Sequence, residues 1–158
     1  MSVIEELLER YQSQVGQEIH VGPWLEIDQQ RIDDFARVTG DEQWIHTDPV
    51  RAAKESPYGK TIAHGFLTLS LLPYLTQSNH PDFFAKNYPG MRMRVNYGLN
   101  KLRYPAPVVC GARIRAHTTV QSAEAVRDGV QIIYLLTIEI DGSDKPACVA
   151  EQIMRVYP

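Results

Sequence analysis

Thr39-Gly40-Asp41-Glu42-Gln43-Trp44-Ile45-His46-Thr47-Asp48-Pro49 and the downstream run His64-Gly65-Phe66-Leu67-Thr68-Leu69-Ser70-Leu71-Leu72-Pro73-Tyr74-Leu75 decide the fold. Gly40 tolerates the left-handed conformation that ends a helix, and Asp48-Pro49 is an N-cap followed by a proline suited to a first helical position. Residues 41–47 are therefore expected to be a short loop pinned by two helix termini. Such a loop holds a carboxylate, Asp41, and an imidazole, His46, in a fixed relation. Their spacing of five on a non-helical segment does not suit a helical metal site, where ligands recur at three or four. It suits two groups converging on one water. The plainer alternative is an Asp and a His that only satisfy local backbone groups, as both often do in loops.

The run from Gly65 to Leu75 carries no charge on any side, so it predicts a helix wrapped by protein all round. Pro73 should bend or end it. With five leucines and a phenylalanine, each stabilising by roughly 1.5–3 kcal/mol when buried, it is a core element.

Around this centre the chain reads in order. Ile4, Leu7, Leu8 and Tyr11 mark an amphipathic surface helix over about 3–13. Glu18 to Ile27 reads as a strand interrupted at Gly22-Pro23. Asp28 caps a second helix with Ile32, Phe35 and Ala36 inward, and a short helix runs from Pro49 to about Lys54. Asn79 to Gly90 is polar and punctuated by proline. From Met91 the period becomes two: Met91, Met93, Val95, Tyr97 and Leu99 form the apolar row against Arg92, Arg94 and Asn96. The phase slips by one beside Gly98, as a β-bulge would make it. Further strands follow through Ala112–Val120, Val130–Ile140 and Ala147–Val156, with Asp128-Gly129 as a hairpin turn. Four long strands in a meander plus the earlier one predict an α+β fold: an antiparallel sheet with one apolar face around one central helix.

The 158 residues suit a single domain, with 44% hydrophobic and 22% charged side chains. The first 15 residues hold Glu5, Glu6, Glu9 and Arg10 rather than a signal-peptide core, and no apolar run approaches a membrane span. Cys110 and Cys148 have no metal-like spacing and read as reduced thiols, so a cytoplasmic location is expected. The net charge of −3 is unevenly distributed. Residues 83–123 contain seven basic side chains and no acid; the remaining 117 hold nine basic and nineteen acidic ones. Such a block suits a phosphate-bearing small ligand, or is simply a solvated strand face; no nucleic-acid module is apparent.

GDEQWIH, the AHG ahead of the apolar run and the strand VNYGLNKLRYPAPV resemble the MaoC-like dehydratases, which include the (R)-specific enoyl-CoA hydratases. The resemblance runs from about residue 20 to 156. It implies a hot-dog fold over residues 1–158, reversible hydration of a trans-2-enoyl-CoA, and a homodimer. The family motif D-x-N-P-x-H places its acid and imidazole on Asp41 and His46. Gln43 and Trp44 stand where the motif has Asn and Pro, and this version is similar to the nodulation-protein-N-like branch. By the same resemblance the Gly65 backbone N–H would meet the thioester oxygen, and His64 would be a packing or supporting residue. Gln43, Trp44, Lys101 and Arg103 are the further substrate-binding candidates, the last two for the phosphates of coenzyme A. No metal or redox cofactor is required, because the substrate carries the coenzyme. Either Asp41 or His46 could take the proton of water. The rivals are a hot-dog thioesterase, which needs a carboxylate on or near the central helix where residues 65–78 have none, and a non-catalytic acyl-CoA-binding protein.

Overall fold

A computed structural model describes all residues, Met1–Pro158. Helix α1 (Val3–Gln12) opens on a capping box, in which the Ser2 and Glu5 side chains satisfy each other's backbone N–H groups. It lays Leu7 and Tyr11 on the sheet. Strands β1 (Glu18–Val21) and β2 (Leu25–Glu26) are the two parts of the interrupted strand, and both pair with β4. Helix α2 (Gln29–Thr39) starts where Asp28 accepts the Arg31 N–H and ends at Gly40, φ 79°. Then come the one-turn α3 (Trp44–Thr47) and α4 (Pro49–Glu55), the latter capped by Asp48.

The central helix is two pieces, α5 (Gly65–Ser70) and α6 (Leu72–Leu75). They meet at Leu71, whose N–H is shared between the carbonyls of Leu67 and Thr68. Pro73 explains the break: it has no N–H, and its ring clashes with the carbonyl four residues back. Helix α7 (Phe83–Asn87) lies in the segment read from sequence as polar and punctuated by proline, and is too short to show a period.

The sheet is completed by β3 (Met93–Arg103), β4 (Arg113–Val126), β5 (Gly129–Ile140) and β6 (Cys148–Tyr157), in the order β1-β4-β5-β6-β3. This corrects the meander. Strands β4, β5 and β6 follow one another, but β3 joins the far edge beside β6, and residues 104–112 cross over to β4. The hairpin turn lies one residue earlier than expected, with Asp128 at φ 60° and Gly129 already paired to Val126.

The phase of β3 is the larger correction. Its register puts Arg94 beside Val156 and Asn96 beside Met154, in the row facing the helix, while Met93, Val95 and Tyr97 face outward. Met93 and Tyr97 are more than half exposed, at 52% and 56%. Two register shifts, not one, flank Gly98 and Leu99; after them Leu102 faces in and Lys101 and Arg103 face out. The alternation reading assigned the apolar row to the core, which an edge strand need not obey.

The core is one cluster of 25 buried residues reaching from α1 to β6. Val130, Ile132, Leu136 and Ile138 of β5 join Leu67, Leu72 and Leu75 of the helix in this cluster. The wrapping is incomplete: Phe66 is 66% and Tyr74 46% exposed. Cys110 and Cys148 are free thiols, and burial pushes that of Cys148 up to about 11. No helix is long and apolar enough to cross a membrane.

Gly22 locks sheet to helix. A Cβ there would lie 1.8 Å from the carbonyl oxygen of Leu75, at the end of α6. Because backbone, not a flexible side chain, occupies that space, Gly22→Ala should cost more than about 3 kcal/mol in urea unfolding, at the upper end for overpacking.

Candidate active site

The left-handed Gly40 turns the chain out of α2 and into Asp41. A single helical turn then closes: the Gln43 carbonyl accepts from the His46 N–H at 2.9 Å, and the Thr47 hydroxyl donates to the same oxygen. This turn, inside what the sequence suggested was plain loop, aims the His46 side chain inward. His46 is buried, with Nδ1 2.6 Å from the carbonyl oxygen of Ile62. A carbonyl only accepts, so Nδ1 carries the proton and the lone pair lies on Nε2. Gln29 of α2 donates to the His46 carbonyl at 2.7 Å and accepts from the Thr61 hydroxyl, holding the turn against α2.

His64 joins the pair. It is the N-cap of α5, yet its side chain makes no cap hydrogen bond. Instead its ring stacks on His46 with centroids 3.8 Å apart, and Nε2 donates to the Asp41 carbonyl at 2.9 Å. Phe35 of α2 lies 4.9 Å from the same ring. Asp41 itself is exposed, its backbone tied to Thr39 and His64, while its carboxylate makes no hydrogen bond to protein. One ligand-type atom each from Asp41, His46 and His64 falls within 4.8 Å of the others. They could reach one ion, but stacked rings 23° from parallel point their lone pairs side by side rather than toward one centre, as a tetrahedral metal requires. The arrangement suits a hydrogen-bonded water better.

Burial holds the His46 imidazole below its ordinary value, reinforced by His64 and opposed by the Ile62 carbonyl and the Asp41 carboxylate. His46 is thus neutral at neutral pH, with a free lone pair beside a carboxylate.

Gly65 follows His64 and opens α5, so its N–H precedes the first intrahelical bond. A Cβ there would come within 2.8 Å of the Tyr104 ring, which also meets Phe66 edge-on at 6.4 Å. The Tyr104 ring therefore packs directly over the Gly65 backbone, and a side chain at 65 would have to displace it. Of the remaining candidates, Gln43 is exposed and caps α3 through its backbone, and Trp44 is half-buried with the Arg51 guanidinium 4.3 Å from its ring. Lys101 faces Glu151 at 3.9 Å, and Arg103 Nη1 donates to its neighbour Leu102. Arg103 immediately precedes Tyr104, so the end of β3 leads directly to the Gly65 contact.

Asp41, His46, His64 and Gly65 are therefore brought together, while Lys101 and Arg103 lie on the strand leading there. The basic block is partly neutralised by acids outside it: Glu151 for Lys101, Asp141 for Arg113 and Glu139 for Arg115. Sequence reading missed how His64, Gln29 and the Ile62 carbonyl hold the pair. The available signal was an imidazole at a helix start, where short hydroxyl or carboxyl caps are usual.

A family profile described as "MaoC like domain" matches residues 10–139. The chain is 48% identical over 141 residues to 3-hydroxyacyl-thioester dehydratase Z of Mycobacterium tuberculosis, covering 89% of each chain. It is 41% identical over 142 residues to Nodulation protein N of Rhizobium meliloti, covering 89% of this chain and 85% of that one. Among solved structures, the monoamine oxidase regulatory protein from Archaeoglobus fulgius superposes with a TM-score of 0.75 at 25% identity, covering 90% of each chain. With this profile, these relatives and an antiparallel sheet around a central helix, the chain belongs to the MaoC-like dehydratase family and has its hot-dog fold.

Proposed function

We propose that this protein catalyses the reversible hydration of a trans-2-enoyl thioester to a 3-hydroxyacyl thioester, with coenzyme A as the carrier. The observation that carries the reading is the His46 ring, fixed through Nδ1–H to Ile62 with its free Nε2 beside the Asp41 carboxylate. A water held by both groups gives one proton to His46 Nε2 as its oxygen bonds C3. The Asp41 carboxylate accepts the other O–H as a hydrogen bond and stabilises the imidazolium. Electrons move from the double bond to the thioester oxygen, where the Gly65 N–H meets the charge. The enolate then collapses, and C2 takes the proton held by His46. Positioned acid/base groups supply roughly 10²–10⁴ in rate, and one oxyanion donor on the order of 10²–10³.

Asp41→Asn and His46→Gln should each lower kcat on crotonyl-CoA by about 10² or more with unchanged circular dichroism, following the acid/base contribution. Near wild-type turnover in either folded variant would sink the assignment. The pH profile has a definite sign. His46 must be neutral to accept a proton and its value is lowered by burial, so kcat/KM should stay flat down through pH 6.5 and fall only below it. An acid limb above pH 6.5 would contradict a buried neutral base.

The CoA phosphates are assigned to the end of β3. Arg103 has no carboxylate partner, whereas Lys101 is shared with Glu151, so Arg103 carries more of the contact. A remote phosphate contact acts on substrate and transition state alike and changes KM rather than kcat. Arg103→Ala should raise KM for an enoyl-CoA several-fold, Lys101→Ala less, and neither should affect a truncated thioester lacking the nucleotide. Added salt should raise KM in the unmutated enzyme in the same way, since exposed charges are screened beyond about 8–10 Å.

The same reading takes residues 1–158 as one hot-dog domain acting as a homodimer. Supporting it, the exposed Phe66 meets Tyr104 just past the end of β3, and Met93 and Tyr97 are exposed on that edge strand. A free apolar edge strand favours pairing with a second copy. Sedimentation should show a dimer, and Phe66→Glu should shift it toward monomer.

A further inference from the structure

His46 is held twice, and both holds lead to the same stretch of backbone. Its ring donates from Nδ1 to the Ile62 carbonyl at 2.6 Å, and its own carbonyl accepts from Gln29 Nε2 at 2.7 Å. Gln29 Oε1 in turn accepts from the hydroxyl of Thr61, the residue before Ile62. These contacts close a circuit that runs from the His46 ring through Ile62 and Thr61 to the Gln29 amide, and back to the His46 carbonyl.

The direction of each bond in the circuit is fixed. A carbonyl only accepts, so the amide must turn Nε2 to His46 and Oε1 to Thr61, and the Thr61 hydroxyl must donate. The other Nε2 hydrogen goes to Asp33 Oδ1 at 2.9 Å, which leaves the amide no spare donor. Thr61 is only 2% exposed, so its hydroxyl has no bulk water to turn to if the amide is removed.

The turn bearing His46 is joined to the same stretch by one further bond, from the Ile62 N–H to the Ile45 carbonyl at 3.0 Å. A single hydrogen bond is a pivot, about which the turn can rock. The amide fastens the next carbonyl along and removes that freedom. What the freedom endangers is the tautomer of the ring. Once Nδ1 leaves the Ile62 carbonyl, a neutral imidazole carries its proton on either nitrogen. A proton on Nε2 abolishes the lone pair that receives the proton of water.

We propose that Gln29 and Thr61 act together as positioning residues for the hydration, holding His46 on the Ile62 carbonyl so that its Nε2 lone pair stays available to the water. The inference rests on the dehydratase reading above for the reaction, and on the hydrogen-bond circuit alone for the hold on His46.

Gln29→Met removes both amide bonds with little change in volume. It should lower kcat on crotonyl-CoA by about tenfold to a hundredfold, the range that a small misplacement of a reacting group produces. KM should stay within about twofold, since a residue that acts through His46 adds no substrate contact. Thr61→Val should lower kcat by about tenfold. Thr61→Ser, which keeps the donor, should recover most of that loss. On the Gln29→Met background Thr61→Val should add nothing, because the hydroxyl then has no amide to serve.

The direct readout is heteronuclear NMR of the histidine ring nitrogens at neutral pH, with the His46 signals identified by their loss in His46→Gln. The wild type should show one tautomer, protonated on Nδ1, and Gln29→Met and Thr61→Val should each show a mixture. If one variant does not fold by circular dichroism, the other carries the comparison. Unchanged kcat in a folded variant overturns the proposal. So does a fall in kcat with the Nδ1–H tautomer intact, or a Thr61→Val loss that adds in full to that of Gln29→Met. If the wild type does not hydrate crotonyl-CoA, the dehydratase reading has failed for that substrate, and the spectra alone decide the circuit. A tautomer that becomes mixed in the variants then upholds the hold on His46, and one that does not overturns it.

Discussion

The site depends on one extended strap, residues 61–64, held from both sides. The Ile62 N–H bonds the Ile45 carbonyl on one side, while Ala63 and Cys110 exchange backbone bonds with Val108 and Thr61 on the other, at 2.8 Å each. Through this strap the turn bearing His46, the crossover between β3 and β4 and the start of the central helix become one rigid piece. The same four residues supply the Ile62 carbonyl that fixes the His46 tautomer and the His64 ring that holds the Asp41 backbone. The geometry of the candidate site is here a by-product of backbone pairing, which tolerates less slack than side-chain packing does.

That arrangement also sets the electrostatics of the buried His46 imidazole. Burial alone disfavours the charged ring, and the neighbouring His64 adds to the effect. The Ile62 carbonyl and the Asp41 carboxylate act in the opposite direction, so the ring is neutral at rest yet able to accept a proton when one is offered. His64 stacks on the His46 ring and gives its Nε2–H to the Asp41 carbonyl, which ties the two residues together.

Much of this was legible in the chain because it is local. Gly40 at φ 79°, Asp28 and Asp48 as caps and Pro73 as a break are set by the conformational limits of single residues. The Asp41–His46 pairing followed from those caps. What was not legible depends on residues far apart in sequence. The resemblance marks His64 only as a packing or supporting residue, and what it packs on is not evident until the fold sets it against His46. The place of β3 beside β6 depends on a crossover that no period reveals. The acids that neutralise Arg113 and Arg115 come from the end of β5 and the turn after it.

The inverted phase of β3 has a physical cause that reaches both ends of the molecule. Alternation says which residues share a face, and it does not say which face is inside. A strand with a two-sided environment on its sheet must face its apolar row inward, but β3 is an edge. Facing Met93, Val95 and Tyr97 outward places apolar surface along that edge, with Tyr97 further stabilised by the Arg155 guanidinium 3.5 Å from its ring. The same choice turns Arg94 inward, half-buried, where a charged side chain is tolerated only beside a cavity that supplies water or an anion. Exposed apolar edge and polar interior are therefore one decision. Two bulges beside Gly98 then restore the usual phase, so that Leu102 packs inward and Arg103 stays free next to the catalytic end.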